Sequence, residues 1–408
     1  MGGLVVTIAA GTGASLVSAA YIVVAIRSLE PSDWAISAVL LNSGILIGSV
    51  LNFGSSLYQV RLMSTMPDAA AKLEFRSQMG TRVAIAVVVV ALAALASAFL
   101  QSPFIMSTVG VGVGYLVSLG AYTYLLSRKR FLAVGLLSIS EKVLTLTGLA
   151  AIAPTGNVNV FTIPTLQTSS LAIIAIIAFV MSRTPRPRAV WRVSRRDVGA
   201  FWLSSRHFGL ASLGPSLLQL DVPIVTLMSN AFQAAMFSVG SKLVAPLGVL
   251  GNSIATVILP YASSGRITMP GKPILWKLWI AVAGALALLG TVAGTAQLWV
   301  PIAFGQEYSQ AVHPVQLYVI AVSLGLFARP AATILQAQGA ERFVSRAILI
   351  QILGALLIIA AGAYFWGATG AALGLCSTNA VLTVVLWVRL VHLLRGAGDG
   401  SRPEEGIL

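Results

Sequence analysis

The chain is a succession of about twelve apolar segments, and its basic residues fall almost entirely in alternate gaps between them or at the segment ends that border those gaps. Twenty-one of the 26 Lys and Arg residues follow this pattern, whereas only Arg27 lies in the other gaps and four lie inside segments. A helix needs about 20 apolar residues to cross a bilayer, and short cytoplasmic loops carry an excess of Lys and Arg. The alternation therefore predicts an all-α, polytopic membrane protein with both termini in the cytoplasm.

The predicted spans divide into two sets of six. In chain order they are residues 4–26, 34–60, 78–100, 104–126, 131–152, 159–182, 199–228, 233–264, 274–299, 313–337, 343–364 and 369–394. Between the sets, residues 183–198 carry six arginines together with Pro185 and Pro187. We interpret 1–182 as an N-terminal six-helix lobe, 183–198 as a basic cytoplasmic linker, 199–394 as a C-terminal six-helix lobe and 395–408 as a cytoplasmic tail.

The composition excludes several classes of protein. The net charge is +14, which in a soluble protein would indicate nucleic-acid binding. Here only 9% of residues are charged, and the positive charge lies in short loops beside apolar spans, so we expect no nucleic-acid partner. A lone Cys376 and three scattered histidines predict no disulfide, metal site or cofactor. No nucleotide-binding loop with its Lys-Ser or Lys-Thr is present, and no polar loop is large enough for a catalytic site, so we expect a protein that is not an enzyme.

Six ionisable residues fall inside the predicted spans, where a charge is costly and usually serves a function. They are Glu141, Lys142, Arg206, Asp221, Lys242 and Arg329, with a summed charge of +2. Neighbours on a helix point about 100° apart, so Glu141 and Lys142 are expected to find partners on other helices. The sequence does not distinguish between a structural ion pair and a role in transport for Glu141 and Lys142.

The other four in-span charges also have two readings each. Arg206 lies near the cytoplasmic end of its span, so its side chain either extends to the lipid headgroups or lines a cavity. Lys242 lies deep in its span with Pro246 one turn later, and Arg329 directly precedes Pro330. Both of these positions favour a cavity. Asp221 either pairs with Lys242 or carries a proton, and pairing is the favoured interpretation.

Short motifs along nearly the whole chain resemble those of one family. The matching stretches are Ala25-Ile-Arg-Ser-Leu-Glu-Pro-Ser-Asp-Trp34, Asn52-Phe-Gly54 with Arg61, Leu220-Asp221, Phe237-Ser-Val-Gly-Ser-Lys242 with Leu259-Pro260, Phe304-Gly-Gln-Glu-Tyr-Ser-Gln-Ala311 and Leu335-Gln-Ala-Gln-Gly339. They resemble polysaccharide transporters, the Wzx-type oligosaccharide-lipid flippases of the multidrug/oligosaccharidyl-lipid/polysaccharide exporter superfamily. In the first stretch the chain departs from the family pattern, because Glu30 replaces a Gly and Trp34-Ala35 replaces Phe-Gly.

This resemblance implies two six-helix lobes around a central cavity that opens alternately to each side of a bacterial cytoplasmic membrane. The implied substrate is a polyprenyl-diphosphate-linked oligosaccharide, moved to the outer leaflet for a cell-surface polysaccharide such as an O-antigen. Implied partners are this lipid-linked substrate, membrane lipids, and a polysaccharide polymerase or glycosyltransferases. Because a diphosphate is anionic, the in-span cations Arg206, Lys242, Arg329 and Lys142 are the substrate-binding candidates. Asp221 and Glu141 are candidates for coupling or ion pairs.

Two rivals come from the same superfamily and one from a different class. A cation-coupled multidrug exporter usually keeps an acidic residue in its first helices, and spans one to four here contain none, with Asn42 and Tyr21 as their notable polar residues. A peptidoglycan-precursor flippase usually has two further helices and basic residues in its first helix. A membrane-embedded polymerase or glycosyltransferase needs a larger polar loop than residues 300–312, the longest predicted outer connection.

Overall fold

A computed structural model describes residues 2–182, 213–244 and 273–396, together with Gly199, residues 201–203, Ser205 and Gly209. Every regular element in these residues is helical. In chain order the helices are α1 (Gly2–Arg27), α2 (Pro31–Asn52), α3 (Ser55–Ser64), α4 (Asp68–Leu100), α5 (Pro103–Ser127), α6 (Phe131–Ile152), α7 (Thr162–Met181), α8 (Asp221–Met228), α9 (Ala231–Val244), α10 (Pro273–Gly294), α11 (Ala296–Phe304), α12 (Val312–Ala337) and α13 (Glu341–Gly396). Short 3₁₀ helices cover Ala153–Thr155, Leu218–Leu220 and Gln306–Ala311.

Several of these helices are long and apolar enough to cross a bilayer. Within the described ranges seven qualify singly, and an eighth is obtained if Leu286–Gly294 and Ala296–Phe304, which meet at 68°, form one bent span. The chain is therefore a multi-pass membrane protein. The predicted spans 199–228 and 233–264 extend beyond the described residues, and the full count of twelve stays a prediction.

Helix α13 is a hairpin of two arms. Its 56 residues would extend about 84 Å if straight, nearly three times the hydrocarbon thickness of about 30 Å. Trp366 and Gly367 have non-helical backbone angles, which mark the turn between the arms. Across this turn, a Cβ atom at Gly362 would lie only 2.3 Å from the carbonyl oxygen of Gly370. Small residues permit this close antiparallel contact. The predicted turn at 365–368 is thus present.

Three predicted boundaries were wrong. The span predicted at 34–60 is broken, because Phe53 and Gly54 adopt left-handed angles and separate α2 from α3. Helix α4 begins at Asp68, after Pro67, so polar helical turns in a predicted cytoplasmic gap continue directly into the span predicted at 78–100. The predicted loop 300–312 is mostly helical, since α11 ends only at Phe304 and a 3₁₀ helix follows. Hydropathy locates the apolar part of a helix, but it does not detect polar turns that extend the same helix beyond its apolar part.

The main core joins the two halves of the chain. It includes Trp34 of α2, Val222 of α8 and Phe237 of α9, and the Trp34 indole N–H donates a 2.7 Å hydrogen bond to the hydroxyl of Ser238. Arg27, at the end of α1, donates a 2.7 Å bond to the carbonyl of Ala303 in α11. These contacts lie at the helix ends predicted to face outward, so the halves are packed together on that side.

Candidate functional site

A cavity of about 220 Å³ lies between the halves and receives a lysine from each of them. Lys142 comes from α6 in the N-terminal half, and Lys242 comes from α9 in the C-terminal half. Its polar lining otherwise consists of Ser18, Tyr21, Tyr115, Ser118, Tyr122, Glu141 and Gln167. The two lysines are 100 positions apart in the chain, so their meeting follows from the packing of α1, α2 and α6 with α9.

Glu141 neutralises one of these lysines. The Lys142 ammonium lies 2.6 Å from the Glu141 carboxylate, and the Gln167 side-chain amide donates a 2.8 Å bond to the same oxygen. The expectation that neighbouring Glu141 and Lys142 do not pair was therefore wrong. The helix points their Cβ atoms apart, but the flexible four-carbon stem of lysine lets the ammonium fold back onto the carboxylate.

Asn42 connects the second lysine to Asp221. The Lys242 ammonium donates a hydrogen bond to the Asn42 side-chain oxygen, while the Asn42 amide nitrogen donates to Asp221 at 3.3 Å. The same Asp221 oxygen accepts a 2.6 Å bond from the backbone N–H of Val222. In the described part of the chain no ion pair joins Asp221 to Lys242 directly, so the pairing predicted from the sequence runs through the asparagine.

We call Asn42, Asp221 and Lys242 the clasp, because they tie the two halves together. Asn42 lies on α2, whereas Asp221 and Lys242 lie on α8 and α9. Asn42 is 1% exposed and Asp221 is 7% exposed, so both bonds are shielded from water. Hydrogen bonds that involve a charged partner are stronger than neutral ones, and shielding strengthens their electrostatic part. Separating the halves requires the clasp to break.

The cavity holds a buried hydroxyl without a partner. The Tyr21 side chain is 5% exposed, and its phenolic oxygen makes no hydrogen bond to any described residue. Buried polar atoms are nearly always satisfied, by protein, by water or by a ligand. Because Tyr21 also lines the cavity, its hydroxyl is a free hydrogen-bonding group among the residues of this site.

The four charges in this region sum to zero. Lys142 is offset by Glu141, and Lys242 is offset through Asn42 by Asp221. The excess of +2 predicted for the in-span residues comes from Arg206 and Arg329. Arg206 lies outside the described residues, so the structure does not place it.

Arg329 lies apart from the cavity. Its side chain is exposed, and no described residue makes a salt bridge or hydrogen bond with its guanidinium. It follows Tyr318 by three helical turns on the same face of α12, and the Tyr318 ring packs edge-on against Phe237 of α9 at 5.7 Å. The face of α12 that packs on α9 thus also carries, about 16 Å farther along the helix, a cation that no described residue neutralises. The described residues bring Lys142 and Lys242 together and leave Arg329 separate.

Arg82 is a buried cation, although the charge pattern of the sequence places it among the 21 basic residues in or beside the predicted cytoplasmic gaps. Because α4 begins at Asp68, Arg82 lies about four turns into that helix, and its side chain is 0% exposed. The guanidinium stacks 5.4 Å from the Phe201 ring. It donates hydrogen bonds of 2.7–3.1 Å to four side chains at the break between α2 and α3, namely Asn52, Ser55, Ser56 and Gln59.

Arg82 therefore fixes the break in the second span. A relay continues from Gln59 to Gln78 at 2.8 Å and from Gln78 to Glu74 at 2.7 Å, which brings a carboxylate into the network. The signal in the sequence was the polar set Asn52, Ser55, Ser56 and Gln59, which is unusual inside an apolar segment.

Comparison with known proteins identifies the fold. No family model and no curated relative matches the sequence. Among solved structures, an inward-facing multidrug resistance MATE family transporter of the MOP superfamily aligns with a TM-score of 0.72 at 11% identity, covering 98% of this chain and 100% of that one. The lipid II flippase MurJ, in an inward closed conformation, aligns with a TM-score of 0.72 at 12% identity, covering 98% and 94%. An outward-facing MATE family transporter of the MOP superfamily aligns with a TM-score of 0.55 at 11% identity, covering 97% and 96%.

These similarities extend over almost the whole chain, and the proteins they involve are transporters. At such low identity they establish the fold and leave the substrate open. The chain has the fold shared by these MATE family transporters and the lipid II flippase MurJ.

Proposed function

We propose that the chain is a flippase that moves a polyprenyl-diphosphate-linked oligosaccharide from the inner to the outer leaflet by alternating access. The observation that carries this proposal is the cavity between the halves, which receives Lys142 from one half and Lys242 from the other. The open hydroxyl of Tyr21 adds a donor beside them. Ammonium and hydroxyl donors suit the oxygens of a phosphate group.

The size of the cavity limits what it holds in this state. Drug-sized ligands occupy sites of about 300–1,000 Å³, and this cavity measures about 220 Å³. It accommodates a phosphate group and a few waters, whereas an oligosaccharide requires the halves to separate further. Cargo therefore binds in a more open arrangement, with Arg329 and Arg206 as further proposed contacts for the headgroup.

The clasp offers a way to couple binding to movement. A phosphate next to Lys242 competes with Asn42 for the ammonium, and a charge-assisted bond to phosphate is the stronger of the two. Occupation of the cavity then loosens the tie between α2 and α9, which lies midway along α2 and helps to hold the two halves together. A ligand shifts a conformational equilibrium only if it binds one state more tightly than the other. Here a phosphate binds the open state more tightly, because Lys242 is free of Asn42 only in that state.

Two observations support an inward-facing state for the described arrangement. The outer ends of the halves are joined by the Trp34–Ser238 and Arg27–Ala303 hydrogen bonds. The TM-scores are also higher against the inward-facing transporter and inward closed MurJ than against the outward-facing transporter. Further opening from this state would admit cargo from the inner leaflet.

A cation-coupled multidrug exporter is the second candidate, and the buried carboxylates favour it. Glu141 and Asp221 are 8% and 7% exposed, and a membrane-buried carboxylate is a natural site for a proton or an organic cation. In this interpretation the lysines serve to hold the carboxylates ionised, and the transported molecule is a cation.

Transport in proteoliposomes distinguishes the two candidates. The probe is a fluorescent polyprenyl-diphosphate-linked disaccharide, and its appearance in the far leaflet is measured by dithionite quenching. We expect Lys242→Gln to reduce flipping at least ten-fold, Lys242→Arg to retain part of it, and Arg130→Gln, which changes an exposed cation outside the cavity, to leave it unchanged. Equal rates for Lys242→Gln and the wild type, together with proton-driven ethidium transport, would establish the exporter instead.

A further inference from the structure

An apolar groove lies between the two arms of α13. It has a volume of about 660 Å³ and is lined chiefly by Phe343, Ile350, Gly354, Ile358, Val381 and Val385. From Phe343 to Ile358 it follows one arm for about 22 Å, somewhat more than the roughly 15 Å of one hydrocarbon leaflet. The groove is thus long enough to hold a lipid chain along most of its length.

The groove lies on the side of the hairpin that faces away from the rest of the protein. On the opposite side, Ile352 packs toward Gly214, and the Asn379 and Thr383 side chains donate 3.0 Å bonds to carbonyls of α12. By contrast, Ile350 and Val381 in the groove are exposed. The groove therefore opens to the bilayer and is separated from the cavity that holds Lys142 and Lys242.

Arginines surround the end of the groove that is predicted to face the cytoplasm. Arg346 lines the groove, and the Arg389 guanidinium lies 5.5 Å above the ring of Phe343. Arg342 is one turn before Arg346, and like charges at this spacing repel. Among the described residues no carboxylate pairs with any of the three. An apolar groove that ends in unpaired guanidinium groups is complementary to a ligand with a hydrocarbon chain and an anionic head.

We propose that this groove binds an anionic phospholipid of the cytoplasmic leaflet, with one acyl chain between the arms of α13 and the phosphate between Arg346 and Arg389. The guanidinium fork matches phosphate oxygens, and Arg389 is held in place by its contact with Phe343. The position of the groove, on the far side of α13 from the inter-half cavity, assigns it to a resident lipid and not to transported cargo. This inference does not depend on which substrate the protein moves.

Native mass spectrometry of the full chain, released from nanodiscs of equal phosphatidylglycerol and phosphatidylcholine, tests the head group. We expect the wild type to retain phosphatidylglycerol preferentially, and the double variant Arg346→Gln/Arg389→Gln to lose roughly 30-fold in that preference, as two surface cations predict. Arg130→Gln is the matched control, because it removes an exposed basic residue at a helix start without a groove. Equal preference in the double variant and this control would overturn the proposal.

A second variant tests whether the groove binds the acyl chain of the lipid. A Cβ at Gly354 meets no atom within 4 Å, so Gly354→Leu extends an apolar side chain from an open position into the groove and also improves helix propensity. We expect it to abolish lipid retention, whereas Gly284→Leu, at another open glycine on α10, retains the lipid. Retention by Gly354→Leu would overturn the proposal. Displacement of the phospholipid from the wild type by equimolar polyprenyl phosphate would also overturn it, in favour of a site for the cargo chain.

Discussion

Replacing Asn42 by leucine isolates the contribution of the clasp to the inward-facing state. Leucine keeps the branching and the number of side-chain heavy atoms of asparagine, with bulkier methyl groups, but removes both the acceptor for Lys242 and the donor to Asp221. The bond to Asp221 is long at 3.3 Å and contributes little. The bond from the charged Lys242 is worth roughly 1.5–3 kcal/mol in soluble proteins, and side-chain bonds in membranes average about 0.6 kcal/mol.

A shift of roughly 1–2 kcal/mol against the closed outer side follows, which is a factor of about 5–30 in the ratio of open to closed molecules. If about 1% of wild-type molecules are open, a ten-fold change raises that fraction to about 9%. Double electron–electron resonance spectroscopy measures the fraction of open molecules directly. The spin labels are attached at Asn157→Cys and Glu307→Cys in a Cys376→Ser background, because both positions are exposed on predicted outer segments.

The control is Asn379→Leu. Asn379 also bridges two partners through its side-chain amide, donating to the carbonyl of Ala321 and accepting from Gln351, but both partners lie in the same half. We expect Asn379→Leu to lower stability without changing the label distances. If Asn42→Leu leaves the distance distribution identical to the wild type, the clasp does not hold the halves together and the reasoning is refuted.

Three further predictions concern other parts of the chain. Arg82→Leu removes a donor shared by four side chains, three of them buried, and should lower the unfolding temperature by several degrees, and Arg82→Lys should recover only part of the loss, as measured by a thermal shift in detergent. Gly370→Leu places a Cβ 2.1 Å from the Gly362 carbonyl and should prevent folding of the α13 hairpin, with monodispersity on a sizing column as the readout. Arg329→Glu should abolish glycan export in cells while membrane insertion, checked by blotting, is retained; normal export would remove Arg329 from the proposed site.

The sequence predicts the helical, multi-pass character of the chain better than it predicts contacts. Hydropathy located the turn at 365–368 correctly, because apolar runs and Gly367 mark it directly. It did not reveal the burial of Arg82, because a linear window does not show that the helix already begins at Asp68. The pairing of Lys142 with Glu141 depends on side-chain flexibility, which helical geometry alone does not convey.

Contacts between distant segments could not be predicted from the sequence. Asn42 was notable only as a polar residue in an apolar span, and its position between Lys242 and Asp221 follows from the packing of α2 against α8 and α9. Lys142 and Lys242 share a cavity for the same reason. The sequence alone singles out Lys142 and Lys242 as candidates, because a charge inside a membrane span is costly. Their proximity could be recognised only from the folded structure.

The central claim is that Lys142 and Lys242 together hold the phosphate of a lipid-linked cargo. Binding of polyprenyl diphosphate to the purified protein, compared with the uncharged polyprenol of equal length, measures this most directly by native mass spectrometry. We expect the wild type to bind the diphosphate much more tightly than the alcohol, and Lys142→Gln/Lys242→Gln to bind both alike. A double variant that keeps the full preference for the diphosphate would contradict the account.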